Sequence, residues 1–293
     1  VVGSNIFNVL LILGLSALAA PLAVSAQLVR LDVPIMIAAS ILLWLLALDH
    51  RIGRIDGAVL AVLIVLYTVF QIRQGRRNNA NSAGIPDGPQ AGTMALNVVL
   101  IVGGLLLLIA GSRGLVIGAT SIARSLGVSE LLIGLTIIAA GTSLPELATS
   151  VLASIRGERD IAVGNVVGSN IFNIFSVLGF TALVAPEGIQ VAEAALKFDI
   201  PVMTAVAIAC LPVFFRKHLI ARWEGGVFLA YYIAYTIYLV LAATEHDALN
   251  EYRSVMIGFV LPLTALTFAV ILWRTLEQPG HPLRRRVSGT CGN

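Results

Sequence analysis

Sixteen residues of this 293-residue chain carry a carboxylate side chain, and fifteen of them fall in loops or near the ends of apolar stretches. Glu146 is the exception. It sits slightly past the midpoint of Leu131 to Ile155, a run of 25 residues with no other charge. A carboxylate near the centre of a bilayer costs about 2.5–3.5 kcal/mol on insertion scales, so something must compensate it. No Lys or Arg occupies a comparable depth, which leaves a bound cation or a proton. The neighbours suit a cation. In Gly141-Thr142-Ser143-Leu144-Pro145-Glu146, two hydroxyls stand beside the carboxylate, and Pro145 has no amide hydrogen for the Gly141 carbonyl. Freed carbonyls near 138–142, hydroxyls and a carboxylate then crowd into one turn. Hard cations want such a set of oxygens, calcium taking about 6–8 of them.

A second polar element follows. Asn165, Ser169 and Asn173 recur every four residues and form one stripe of a helix. Gly164 and Gly168 lie on the adjoining stripe, where they are expected to allow close helix approach. Nearly the same string opens the chain: Val1-Val2-Gly3-Ser4-Asn5-Ile6-Phe7-Asn8 answers Val166-Val167-Gly168-Ser169-Asn170-Ile171-Phe172-Asn173. Ser4 and Asn8 thereby take the places of Ser169 and Asn173. Asn5 and Asn170 lie off the stripe and read as packing or capping residues. The likeness continues downstream, where Asp32-Val33-Pro34 answers Asp199-Ile200-Pro201. Asp56-Gly57 with Tyr67-Thr68 likewise answers Glu224-Gly225 with Tyr235-Thr236. Two copies of one multi-helix unit, each with polar amides inside apolar segments, mark a secondary transporter built from repeats.

Composition sets the solvent. Hydrophobic residues make up 58% of the chain and charged residues 12%, with a mean hydropathy of +0.92. A soluble domain carries roughly 25% charged residues, so the class is an all-α polytopic membrane protein; alternating barrel strands are not seen. The formal charge of +3 reads as topology-setting loop charge, not as a nucleic-acid footprint. Cys210 and Cys291 imply neither a disulfide framework nor a metal cluster. An intramembrane hydrolase using Ser143 or Ser169 would need a base within reach. His50, His218, His246 and His281 all lie in loops or the tail, which argues against it.

Spans are expected near residues 1–24, 33–48, 56–72, 95–112, 131–155, 160–184, 200–215, 225–243 and 254–274, with 113–128 as a tilted extension of the fourth. Asn78 to Gly92 is a Gly/Pro/Asn-rich linker, and residues 275–293 read as a disordered basic tail. Organisation follows as an incomplete first repeat at 1–72, a linker at 73–94, a second repeat at 95–244, and an extra helix with the tail at 245–293. With the linker in the cytoplasm, 13 of the 19 Lys and Arg residues face inward and 6 face outward. The equivalent loops Asp49 to Asp56 and Arg216 to Glu224 carry net charges of 0 and +2, as an inverted repeat predicts. Repeat symmetry also predicts roughly 70 residues upstream of Val1, so the chain reads as a fragment whose own competence for transport is open.

Gly-Thr-Ser-Leu-Pro-Glu at 141–146, followed by Gly-Asn-x-x-Gly-Ser-Asn-x-x-Asn at 164–173, resembles the α-repeat of the calcium/cation antiporters, the sodium/calcium exchanger group. The likeness is specific over 139–184 and over 1–24. It implies the inverted-repeat exchanger fold, two five-helix halves of which the first is incomplete here, plus a C-terminal helix beyond the usual ten. It implies ion sites near mid-membrane, with outer gating helices sliding over a fixed core. Thr142, Ser143, Glu146, Ser169 and Asn173 would be ion ligands from the second repeat, and Ser4 and Asn8 their partners from the first. The implied cargo is calcium with sodium or protons as counter-ion, in a multi-pass protein of the cell membrane. Members often place an Asp at one of the two positions matched by Asn8 and Asn173. With Asn at both, the site has one negative charge fewer, which keeps proton coupling and another cation in play.

Overall fold

An apolar segment can cross a bilayer as a helix because a helix satisfies its own backbone hydrogen bonds. A computed structural model of the protein describes residues 1–81, 94–128, 133, 137–215, 219–244 and 246–263. Its long helices are α1 (Val2–Ala19), α2 (Leu28–Leu46), α3 (Arg54–Asn81) and α4 (Met94–Ser125). The short α5 (Ala139–Thr142) and α6 (Leu144–Ile155) follow, then α7 (Arg159–Val184), α8 (Ala195–Phe214), α9 (Arg222–Ala243) and α10 (Leu249–Val255). Among the described residues, 7 helices (α1–α4 and α7–α9) are long and apolar enough to span a membrane.

Several boundaries differ from the expected ones. The stretch 95–128 is one helix through Ser125. Its 32 residues measure about 48 Å at about 1.5 Å each, against about 30 Å of hydrocarbon, so it must tilt. α2 and α8 begin about a turn early, as π-helical turns at Leu28–Asp32 and Ala195–Asp199 that lead into Pro34 and Pro201. Asp32 and Asp199 therefore lie inside helices, not in the loops before them. α3 runs on to Asn81, so residues 73–81 of the expected linker are helical. The rest of that linker, residues 264–274 of the expected last span and the basic tail lie outside the described residues.

The two halves repeat in structure as they do in sequence. α1 passes through a π-helical segment at Asn8–Leu13, and α7 through one at Asn173–Leu178. Two-residue strands β1 (Leu22–Ala23), β2 (Arg51–Ile52), β3 (Ile189–Gln190) and β4 (Leu219–Ile220) pair across the halves, β1 with β4 and β2 with β3, both antiparallel. Asp56 accepts the Gly53 amide at 2.8 Å, and Glu224 accepts that of Ala221 at 2.7 Å. Each acid thus closes the N-terminus of α3 or α9, where a negative group also meets the positive end of the helix. The Tyr67 hydroxyl donates to Asp32 at 2.9 Å, and that of Tyr235 donates to Asp199 at 2.9 Å. Each repeated motif thus performs the same local task twice.

The halves are also interlocked. Lipid tails are as apolar as leucine, so helices in a bilayer associate through close packing, which small residues permit. α3 of the first half crosses α7 of the second at Gly57 and Gly179, and α9 of the second crosses α1 of the first at Gly225 and Gly14. A Cβ added to Gly57 would stand 2.8 Å from the Gly179 carbonyl oxygen, and one on Gly225 would stand 2.7 Å from that of Gly14. Around these crossings Ile6, Ile12, Leu13, Val29, Met36, Val163, Ile171, Ile174 and Phe214 are fully buried. Gly225→Ala should cost about 1–3 kcal/mol through overpacking and lower the unfolding midpoint. Gly104→Ala, in open space on α4, should not destabilise. Equal midpoints for the two variants would refute the crossing as a packing constraint.

Candidate functional site

The site forms where a helix breaks. α5 ends at Thr142, Ser143 leaves helical geometry (φ −103°, ψ 9°), and α6 starts at Leu144 with Pro145 in its first turn. A proline is well placed there, since the first turn leaves its amides unpaired anyway. The cost falls on Gly141, whose carbonyl has no partner at Pro145. The Ser112 hydroxyl of α4 donates to that carbonyl instead. A Cβ on Gly141 would collide with Val116 of α4, so only glycine lets α4 come this close. The Gly141 carbonyl that the sequence suggests is freed thus receives a hydrogen bond from α4.

From the other side, Asn165 of α7 holds the first turns of α6. Its Nδ2 donates to Ser150 Oγ at 2.8 Å, to Thr149 Oγ1 at 3.0 Å and to the Glu146 carbonyl at 3.4 Å. Ser154 Oγ, two turns along α6, donates to the Ser16 carbonyl of α1 at 2.8 Å. Glu146 is thus carried on a short helix braced by α1 and α7. Its position in the first turn puts the carboxylate at the positive end of α6.

The repeats meet at this break. Ser4 Oγ lies 3.3 Å from Thr142 Oγ1, joining the stripe of α1 to the end of α5. One turn on, Asn8 Nδ2 donates to Asn170 Oδ1 at 2.9 Å, and Asn173 Nδ2 donates to Asn5 Oδ1 at 3.0 Å. Asn5 and Asn170, read from sequence as packing or capping residues, bond directly to the two candidate ligands. Their signal was present in their repetition, but helical periodicity put them off the stripe. Ser143 is buried within the break, and Ser169 lies one turn before Asn173. Two buried candidate oxygens, Glu146 Oε2 and Asn8 Oδ1, have no hydrogen-bond partner, as does Ser16 Oγ. A buried polar atom without a partner calls for an explanation, and both candidate oxygens are good cation ligands. No three His, Cys, Asp or Glu side chains converge among the described residues. The donor set is one carboxylate with hydroxyl and amide oxygens, which suits a hard cation better than a transition metal.

Beside α7 lies a polar cavity of about 280 Å³, lined by Ser25, Gln27, Asp32, Tyr67, Gln71 and Asp160, with Gly164 and Gly168 as its floor. Nothing stands within 4 Å of a Cβ built on either glycine. These glycines keep space open; they do not bring helices together as their spacing suggests.

The sodium/calcium exchanger protein family matches residues 1–73 and 96–241. The chain belongs to the sodium/calcium exchanger family. It is 40% identical over 243 residues to the putative antiporter CaxA of Alkalimonas amylolytica, covering 80% of this chain and 75% of that one. It is 37% identical over 215 residues to the inner membrane protein YrbG of Escherichia coli, covering 71% and 66%. Its fold is similar to that of the sodium-calcium exchanger NCX_Mj soaked with sodium and strontium, at 31% identity and a TM-score of 0.65, over 79% of this chain and 73% of that one. As an exchanger-family member the protein is a multi-pass secondary transporter with the inverted-repeat fold, and not an enzyme. In this exchanger the α4 link at Gly141 is the least expected element of the site. Ser112→Ala leaves that carbonyl without its donor and should cost about 1–3 kcal/mol, read as a lower denaturant midpoint. An unchanged midpoint would mean that the contact contributes nothing.

Proposed function

We propose that the protein exchanges calcium for a monovalent cation, sodium or a proton, across the plasma membrane, through a site built on Glu146. Thr142, Ser143, Ser169, Asn173, Ser4 and Asn8 complete the oxygen shell, and calcium is cargo. The observation that carries this reading is the buried, unpartnered Glu146 Oε2 at a helix break, with unpartnered Asn8 Oδ1 contributed by the other repeat. The similarity to an antiporter and to a sodium-calcium exchanger supports the choice of ions.

Coupling follows from charge. Glu146 is the carboxylate that the described residues bring to the set, and a second cation arriving beside an occupied Glu146 meets like charge in a medium of low dielectric. Calcium and its counter-ion therefore compete for one group, and each crosses only when the other has left. The interlocked core of α1, α2, α7 and α8 is ill suited to large movement. α4, by contrast, is mostly exposed among the described residues and packs on α5 and α6. Sliding of α4 would break or remake the Ser112 contact at Gly141, tying access to the state of the site. The entry route we propose is the cavity beside Gly164 and Gly168, on the side of Asp32 and Asp160.

Glu146→Gln keeps the shape and removes the charge. Radioactive calcium uptake into vesicles, driven first by a sodium gradient and then by a proton gradient, should be present in the parent and fall to background in this variant. The gradient that drives the parent names the counter-ion. Near-normal uptake by Glu146→Gln would end the proposal. Gly168→Leu fills the cavity floor and should slow uptake at least tenfold, the order expected when ligand access is obstructed, without lowering the unfolding midpoint; unchanged uptake would place the route elsewhere.

A further inference from the structure

Four asparagines cross at the interface between the repeats, and their hydrogen bonds have a direction. Asn5 Nδ2 donates to the backbone carbonyl of Asn170 at 3.4 Å, and Asn170 Nδ2 donates to the backbone carbonyl of Asn5 at 3.3 Å. Each of these amides also points a hydrogen at a methionine sulfur, Met203 Sδ at 3.5 Å for Asn5 and Met36 Sδ at 3.6 Å for Asn170. A backbone carbonyl only accepts, and so does a thioether in this setting. The nitrogen of each amide is therefore committed, and its oxygen must turn the opposite way. What Asn5 Oδ1 meets there is Asn173, and what Asn170 Oδ1 meets is Asn8. An oxygen that only accepts demands a donor, so Asn173 and Asn8 must present Nδ2 to it. Their own oxygens then face away from the quartet, and Asn8 Oδ1 is buried there without a partner.

We propose that Asn5 and Asn170 are positioning residues that set the polarity of the Asn173 and Asn8 amides, so that oxygen and not the amide N–H₂ faces the transported cation. This rests on the reading of Asn8 and Asn173 as cation ligands. An amide turned the other way would aim two hydrogens, each partly positive, at the ion. The polarity originates in two main-chain carbonyls, which cannot rotate without unwinding α1 or α7. The quartet thereby keeps this part of the site neutral.

The test is a double-mutant cycle on calcium affinity, measured by equilibrium dialysis of radioactive calcium against the purified protein, with the thermal midpoint recorded for each variant. Asn173→Ala should weaken binding about 10–100-fold, and Asn5→Ala should do the same, since partners that orient a ligand typically carry effects of that size. Asn5→Ala added to Asn173→Ala should change affinity by less than about twofold, because a residue acting only through Asn173 has nothing left to orient. Independent, multiplying losses would overturn the proposal while leaving Asn173 a ligand. Wild-type affinity in Asn173→Ala would instead overturn the ligand reading and the proposal with it. If Asn5→Ala does not fold, Asn170→Ala against Asn8→Ala repeats the cycle on the symmetric pair. Loss of fold in both arms would assign the quartet a structural role and overturn the proposal.

Discussion

In the hydrocarbon of a bilayer a polar group has no water to fall back on, so each one must be met by another part of the protein. That constraint organises the centre of this molecule. The break between α5 and α6 at Ser143 and Pro145 leaves the Gly141 carbonyl without an amide at Pro145, and Ser112 of α4 donates to it. Asn165 spreads its amide over three oxygens of α6, and Ser154 reaches the Ser16 carbonyl of α1. Among the described residues, Glu146 Oε2, Asn8 Oδ1 and Ser16 Oγ are the buried side-chain atoms left without a partner, and the first two are the ones proposed to face cargo.

The same constraint explains why the repeats exchange elements. A half standing alone would expose the glycine faces of its helices, where only close contact between backbones gives attraction. Passing α3 beside α7 and α9 beside α1 lets each half supply the surface that the other lacks. β1 pairing with β4 and β2 with β3 repeats the exchange at the loops. An interlocked core concentrates motion in what lies outside it. α4 is long and packs on α5 and α6, and its Ser112 meets the Gly141 carbonyl beside the proposed ion site. A transporter that must bind tightly and also change access gains from having the two jobs in different helices.

Neutral amides at the repeat interface give the site a division of labour. In the proposed site Asn8 and Asn173 contribute oxygen without charge, and Glu146 contributes charge. Orientation of a neutral ligand must come from its hydrogen bonds, because its charge cannot provide it. The carbonyl-anchored quartet meets that need with main-chain groups, the least adjustable hydrogen-bonding groups available.

The sequence by itself determined the solvent, the class and the repeat. A 25-residue run with one charge reads as a membrane span with a functional acid, and the eight-residue string at 1–8 and 166–173 reads as duplication. Those conclusions depend on local composition and spacing, which survive without coordinates. Tertiary structure decided what depends on partners from distant parts of the chain. Gly164 and Gly168 share the spacing of packing glycines, yet they floor a cavity, while Gly57 and Gly225 make the close crossings. Asn5 and Asn170 lie off the polar stripe, yet they cross to Asn173 and Asn8, 168 and 162 residues away. Periodicity says which face of a helix a residue occupies. It does not say what stands opposite, and in a medium without water the group opposite decides whether a polar atom is satisfied or left for an ion.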